Sequence, residues 1–162
     1  MISYRNAGLK DKQDYIQLER DMYKLYEERG YDSYLSYIPS VEMTDDVLGN
    51  DFEASFHEDC FFYVAEDTGK VVGYIFAEIK PVKEAGLYTI KNTGHINSLI
   101  VADTYRGQGI GTVLIEKGLE WLMLKNVTIC TLGVVRDNVD AIRLYEKLGF
   151  QIGKLQMWKK LT

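Results

Sequence analysis

Gly107, Gly109 and Gly111 stand at alternate positions directly after Arg106, in the string Arg106-Gly107-Gln108-Gly109-Ile110-Gly111-Thr112. Glycines spaced in this way leave successive backbone N–H groups uncovered by side chains. The helix whose apolar residues begin at Ile110 adds its own unpaired N-terminal donors and positive dipole end. Such an end suits a phosphate. Arg106 brings a permanent cation with a planar donor fork to the same place, which fits a pyrophosphate. The local chemistry is that of an anion cradle, although a glycine-rich helix start with no ligand would read the same in isolation. Two familiar phosphate loops do not match. A P-loop needs a lysine before its Ser/Thr, and Thr112 follows Gly111. A dinucleotide fingerprint needs glycine where this chain has Thr112, and an acid about 20 residues on, where only apolar strand surrounds Cys130.

Cys60 and Cys130 sit in apolar, β-prone runs and read as small buried hydrophobes. His57 and Cys60 have a ligand-like spacing, but no second Cys or His pair completes a tetrahedral zinc site, so no metal is expected. The chain has 162 residues, the length of one domain, with 46% hydrophobic and 27% charged residues. Its formal net charge of -5 argues against nucleic acid, which selects a basic face. The N-terminus Met1-Ile2-Ser3-Tyr4-Arg5 lacks the pattern of a signal peptide, and no apolar run approaches the roughly 20 residues that span a membrane. The cytoplasm, without membrane attachment, is the expected compartment.

The elements that must position the glycine run can be traced by period. Ile2 to Asn6 is a β-prone opening, and from Asp14 the residues Tyr15, Leu18, Met22, Leu25 and Tyr26 recur at helical spacing until Gly30. An aromatic stretch from Tyr31 to Ser40 follows, then a weaker helical pattern through Val47, Leu48, Phe52 and Phe56. Phe61 to Ala65 and Val71 to Ile79 predict a hairpin about the turn Asp67-Thr68-Gly69-Lys70. After an excursion from Pro81 to Thr93, His95 to Val101 ends as a strand covered on both faces. The next helix carries Ile110, Val113, Leu114, Gly118, Trp121 and Leu122 on one face, with Gly118 permitting close approach to a sheet. Val127 to Val135 predicts a strand. Asp137 is expected to cap a last helix with Asp140 at its third position, an inner stripe of Ala141, Ile142, Tyr145 and Leu148, and a stop at Gly149. A hairpin from Phe150 to Leu161 closes the order. The sum is a mixed α/β sheet in a single domain over residues 1–162.

The string Ser98-Leu99-Ile100-Val101, a four-residue turn, and Arg106 to Gly111 resembles motif A of the GNAT superfamily of acyl-CoA-dependent N-acetyltransferases. Asn138, Ala141 and Leu144-Tyr145-Glu146-Lys147-Leu148-Gly149-Phe150 resembles that family's motif B at the expected distance. Two ordered motifs are far more specific than one. The resemblance implies a central, mostly antiparallel sheet with helices on both faces and splayed fourth and fifth strands. Pantetheine of the co-substrate acetyl-CoA would enter between those strands and pair with the edge at Leu99, Ile100 and Val101. By the same carry-over, Arg106, Gly107, Gln108, Gly109, Ile110, Gly111 and Thr112 would hold the pyrophosphate, Asn138 and Tyr145 would meet the pantetheine arm, and an N–H near Leu99 or Ile100 would steady an oxyanion.

The implied activity moves an acetyl group from acetyl-CoA to a primary amine of a small molecule or peptide, directly, in a ternary complex. Such transfer needs a neutral amine and a protonated or stabilised leaving thiolate. Tyr145, with a phenol of reference pKa about 10, is the candidate acid. A core tyrosine with a hydrogen-bonded hydroxyl would occupy the same stripe. The candidate bases are His95, whose reference pKa is near 6.5, Glu78 on the neighbouring strand, or a water chain; Asn97 cannot accept a proton. The runner-up function is a domain that binds acyl-CoA without turnover, as a sensor or partner-binding module. Between residues 41 and 60 lie Glu42, Asp45, Asp46, Asp51, Glu53, Glu58 and Asp59 with no Lys or Arg, which would attract a cationic acceptor or serve simply as a solvated face. Tyr31, Tyr34 and Tyr37 are candidates to line the acceptor pocket. A homodimer is left open.

Overall fold

A computed structural model of the chain describes residues 1–30, 44–82, 91–157 and 159. Five strands form one sheet in chain order: β1 (Ser3–Asn6), β2 (Cys60–Asp67), β3 (Lys70–Pro81), β4 (Asn92–Val101) and β5 (Cys130–Leu132). The first four are antiparallel neighbours, and β5 joins β4 in parallel. The helices are α1 (Lys12–Glu28), α2 (Asp45–Ala54), α3 (Ile110–Leu124) and α4 (Val139–Lys147). The mixed α/β sheet expected from the element order is observed, with the mostly antiparallel pairing that the family resemblance implied. The stretch 31–43, with Tyr31, Tyr34, Tyr37 and Glu42, and the stretch 83–90 within the Pro81 to Thr93 excursion lie outside the described residues.

The period of two in the strands sorts their side chains to two helical layers. Phe61, Tyr63 and Ala65 of β2 face Ile110, Leu114, Ile115, Tyr145 and Leu148 of α3 and α4. Phe62 and Val64 face the other way, onto Leu18 of α1 and Phe52 of α2. Helices therefore cover both faces. Thr68 and Gly69, both at positive φ, make the tight β2–β3 turn, and Gly30 at φ +64 follows α1.

One residue breaks the period in β4. Phe76 pairs with Ser98 while its neighbour Ala77 pairs with Ile96, so Asn97 is an extra residue bulged out of the ladder. Ile96 and Ile100, four positions apart, would share a face in a regular strand. Instead Ile96 packs under α3 and Ile100 under α1. The bulge also coincides with the end of the β4–β5 ladder, which consists of Gly94–Cys130, His95–Thr131 and Ile96–Leu132. Beyond Ile96 the two strands separate.

Three expectations need correction. The strand foreseen over Val127 to Val135 is only Cys130–Leu132; the ladder to β4 ends at Ile96–Leu132, next to the bulge at Asn97, and before Cys130 a bond from the Gly94 N–H to the Ile129 carbonyl at 2.8 Å continues the contact without extending the strand, while Ile129 and Val134 are exposed. The cap of α4 is Asn138, whose Oδ1 accepts from the Ala141 N–H at 3.4 Å. Asp137, one position before the cap, pairs its carboxylate with Arg136 at 3.3 Å. The hairpin from Phe150 to Leu161 is not formed over residues 150–157, where no strand occurs and Ile152, Leu155 and Met157 are exposed; residues 158 and 160–162 lie outside the described residues. A three-residue β5 offers too short an edge to template it.

Glycines set the closest approaches. A Cβ on Gly118 would lie 2.7 Å from Ile75 Cδ1, which is how α3 seats on β3. At Gly73 the obstruction is backbone: an added Cβ would lie 2.8 Å from the Ile100 carbonyl oxygen and 3.3 Å from Val101 Cα. Gly73→Ala must push the C-terminal half of β4 outward, and we expect a loss of about 1–3 kcal/mol, the range for overpacking, in denaturant unfolding. A change under about 0.5 kcal/mol would show that β4 is not held at that separation.

Candidate active site

Among the described residues no strand pairs with the outer edge of β4 past Ile96, and β4, α3 and α4 carry most of the residues singled out in the sequence. At the C-terminal end of β4, Val101 leads through a single turn to Arg106. The Arg106 Nε donates to the Val101 carbonyl at 3.0 Å, and its Nη1 lies 3.3 Å from Asp103. Arg106 thus ties the end of β4 to the glycine run as well as lining it. Gly107 and Gly109 have φ of +74 and +79, the left-handed region that glycine enters without strain.

Gly109 is the N-cap of α3 and supplies no side-chain cap. The first four N–H groups of the helix lack intrahelical partners by geometry, so donors and dipole face the opening. A Cβ on Gly111 would meet Leu144 Cδ2 at 3.6 Å and Val101 Cγ2 at 3.8 Å, ordinary contact distances. The first turn of α3, the end of β4 and α4 therefore converge. The donor set, uncapped N–H groups with an arginine beside them, fits a pyrophosphate. On the α1 side, Leu18, Met22, Leu25, Ile100, Val101 and Arg106 line a groove of about 200 Å³.

Tyr145 extends from α4 into the α3-side core, with its ring 5.8 Å from that of Phe150 in an edge-on arrangement. Burial pushes its phenol up to about 12, and Tyr26 of α1 adds to the rise. A phenol in this state is a proton donor and not a phenolate at neutral pH.

The N-terminal half of β4 carries a polar cluster. His95 lies opposite Glu78 in the β3–β4 register and opposite Thr131 in the β4–β5 register. Its Nδ1 is 3.0 Å from Thr131 Oγ1. Burial and the Lys80 ammonium hold the imidazole below its ordinary value against the opposing pull of Glu78. Burial would raise the Glu78 carboxyl, but hydrogen bonds from Lys80 and Asn97 outweigh it and leave Glu78 below the usual carboxylate range. The Lys80–Glu78 contact is 2.8 Å. A carboxylate held twice in this way is a weak base near neutrality, whereas a neutral imidazole is ready to accept a proton.

Comparisons with known proteins bear on the family and the fold. The model of the acetyltransferase (GNAT) family matches residues 16–150. The chain belongs to this family. Among curated relatives, an N-alpha-acetyltransferase of Sulfurisphaera tokodaii is 39% identical over 95 residues, covering 56% of each chain. A mycothiol acetyltransferase of Amycolatopsis mediterranei is 31% identical over 106 residues, covering 65% of this chain and 35% of that one. The chain spans about half the length, or less, of the curated relatives it matches first. In structure it resembles an acetyltransferase of Clostridium acetobutylicum described with acetyl-CoA, with a TM-score of 0.73 at 19% identity over 100% and 96% of the two chains. It also resembles a glucosamine-6-phosphate N-acetyltransferase of Arabidopsis thaliana, with a TM-score of 0.69 at 22% identity over 100% and 99%. These two likenesses concern the fold.

Within the family frame, three features were not foreseen. Lys80 neutralises Glu78; the two lie two positions apart on one strand and so share a face, a signal present in the sequence. Thr131 meets His95 only through the β4–β5 register, which nothing local foretells. The acidic stretch is partly neutralised, since Arg20 pairs with Asp45 at 2.5 Å and Lys12 with Glu53 at 2.8 Å. Cys60 and His57 meet as a thiol and ring nitrogen 3.0 Å apart; burial, Glu78 and Asp59 push the thiol up to about 11. Among the described residues no group of three His, Cys, Asp or Glu could hold a metal, and no helix is long and apolar enough to cross a membrane.

The raised phenol is directly measurable. In an alkaline absorbance titration, the difference between the chain and its Tyr145→Phe variant should show no phenolate from Tyr145 until the pH approaches about 12. A Tyr145 transition at the model-compound value of about 10 would mean that the ring is solvated and the opening is wider than described.

Proposed function

We propose that this chain transfers the acetyl group of acetyl-CoA directly to a primary amine held in the same complex. The observation that supports the reading is the end of the β4–β5 ladder at Ile96, which leaves the rest of the β4 edge without a strand partner among the described residues, together with the uncapped start of α3 that follows β4. Arg106 and the N–H groups from Gly107 to Thr112 would take the pyrophosphate, the edge at Leu99, Ile100 and Val101 would pair with pantetheine, and the Asn138 amide would donate to the same arm. A thioester placed there has its carbonyl beside the β4 backbone, where an N–H near Leu99 or Ile100 stabilises the oxyanion.

The reaction then balances as follows. The amine lone pair attacks the thioester carbon and a C–N bond forms. His95 Nε2 takes the proton the nitrogen loses, the C–S bond breaks, and Tyr145 gives its proton to the departing sulfur. Glu78 is set aside as base because Lys80 and Asn97 already occupy it. The absence of a free strand carboxylate suits an acceptor of modest basicity. A peptide α-amine, with a reference pKa of about 7.7–8.0, is partly neutral at physiological pH, whereas a lysine amine at about 10.4 is not. Relatives from Sulfurisphaera, Sulfolobus and Saccharolobus named N-alpha-acetyltransferase point the same way. Peptide N-termini therefore head the acceptor panel.

Thermal melting with acetyl-CoA, NAD and ATP tests the first half, because a ligand of the native state raises the melting temperature by mass action. Stabilisation by acetyl-CoA alone is expected, and stabilisation by NAD or ATP instead would overturn the reading. Thiol release with a panel of peptides, polyamines and aminoglycosides tests the second half. Tyr145→Phe should cut kcat about a hundredfold with the acetyl-CoA KM within about twofold, and an unchanged kcat removes Tyr145 from the chemistry. With a peptide acceptor, kcat/KM should rise through two limbs, one below about 6.5 from His95 and one near 8 from the amine. His95→Ala should erase the lower limb.

A further inference from the structure

We infer that Thr131 is a positioning residue that holds His95 in the tautomer protonated on Nδ1, so that Nε2 keeps its lone pair for the acceptor amine. The inference rests on the proposed transfer reaction with His95 as base. A threonine hydroxyl has one proton to give and oxygen lone pairs to receive. Thr131 Oγ1 donates that proton to the Gly94 carbonyl oxygen at 3.3 Å. With the hydroxyl proton assigned to Gly94, Oγ1 faces His95 Nδ1 at 3.0 Å as an acceptor, and Nδ1 then carries the hydrogen. Neutral imidazole has only one N–H, and the unprotonated nitrogen is then Nε2.

The arrangement is built by the sheet. Gly94–Cys130, His95–Thr131 and Ile96–Leu132 are the only register pairs between β4 and β5. The short ladder thus sets Thr131 beside His95, next to the bulge where the strands part. Holding the ring by Nδ1 orients it as well as choosing its tautomer, the role a carboxylate or carbonyl serves for histidine bases elsewhere. Glu78 and Lys80 of β3 are the charged groups facing the ring, and Thr131 faces it from β5. Lys80 opposes a second proton on the ring, which keeps it in the neutral form in which the tautomer matters. Neither Glu78 nor Asn97 is free to replace Thr131, since each is bonded to the other.

Long-range proton–nitrogen NMR of the intact chain, labelled at histidine, reads the tautomer without any substrate. The chain has two histidines, and the His57→Gln variant assigns the pair. His95 should show the Nδ1–H pattern. In Thr131→Val, which keeps the β-branched shape but cannot accept, the pattern should shift towards Nε2–H and kcat should fall about tenfold with an unchanged melting temperature. Thr131→Ser should recover most of that loss. An Nε2–H pattern in the unmodified chain, or a Thr131→Val spectrum identical to it, overturns the inference. Full turnover in His95→Ala defeats instead the reading of His95 as base, and with it the catalytic purpose of the lock, whatever the spectra show. The two failures are thereby distinguishable.

Discussion

One inserted residue in β4 governs the architecture of the site. Asn97 has no partner of its own in the β3–β4 ladder. The strand must therefore change the face to which its side chains point, and its direction, at that position. Before the bulge, β4 is an interior strand with neighbours on both sides; after it, among the described residues, β4 pairs with β3 alone. An unpaired β-edge inside a folded domain is a standing demand for hydrogen bonds. Here it is exposed where two helical layers part and a helix N-terminus points. A ligand with amides of its own, such as pantetheine, answers that demand, and a purely apolar ligand would not.

The rest of the fold holds that opening rigid. Beneath the C-terminal half of β4, Tyr15, Phe52, Phe62 and Tyr74 form an aromatic cluster with ring centroids 5.0–5.8 Å apart. Tyr74 also donates to the buried Glu19 carboxylate of α1, a bond that locks α1 to β3 away from solvent. Burial raises Glu19, and the Tyr74 hydrogen bond partly opposes this. Such a polar contact inside an apolar layer favours one arrangement of helix on sheet over its alternatives. On the opposite face Gly118 and Gly94 bring α3 close, with added Cβ atoms 2.7 Å from Ile75 Cδ1 and 2.5 Å from Leu122 Cδ1. The two layers thus grip β3 and β4 while leaving β5 attached by only three residue pairs.

Electrostatics divide the opening into two ends. The α3 end is positive through the helix dipole and Arg106, and it suits a di-anion. The polar end holds groups whose protonation is set by neighbours: Glu78 is kept charged by Lys80 and Asn97, and His95 is kept neutral by burial and Lys80. Tyr145, packed in the α3-side core, stays protonated because burial and Tyr26 disfavour the phenolate. In the proposed roles of acid and base, Tyr145 and His95 would both start uncharged at neutral pH.

Much of this was legible in the chain. The β2–β3 hairpin, the glycine run ahead of α3, the close approach at Gly118 and the paired motifs around Val101 and Tyr145 are encoded by period, turn chemistry and residue spacing, all local properties. The errors fell where pairing partners decide. Val127 to Val135 has the composition of a long strand, yet forms only Cys130–Leu132, its C-terminal end lying where β4 bulges. The C-terminal hairpin is not formed over residues 150–157, and the cap of α4 is Asn138, one position past Asp137. The sequence by itself determined the family, the order of elements from β1 to α4 and the glycine run ahead of α3, since each depends on neighbours a few residues apart. The pairing of Lys80 with Glu78 is half local: their spacing of two is in the sequence, but Asn97, which also holds Glu78, reaches it only across the β3–β4 ladder. Only the tertiary structure decided that Thr131 meets His95, because that contact depends on the register of two strands whose residues lie 36 positions apart and is written in no local stretch of chain.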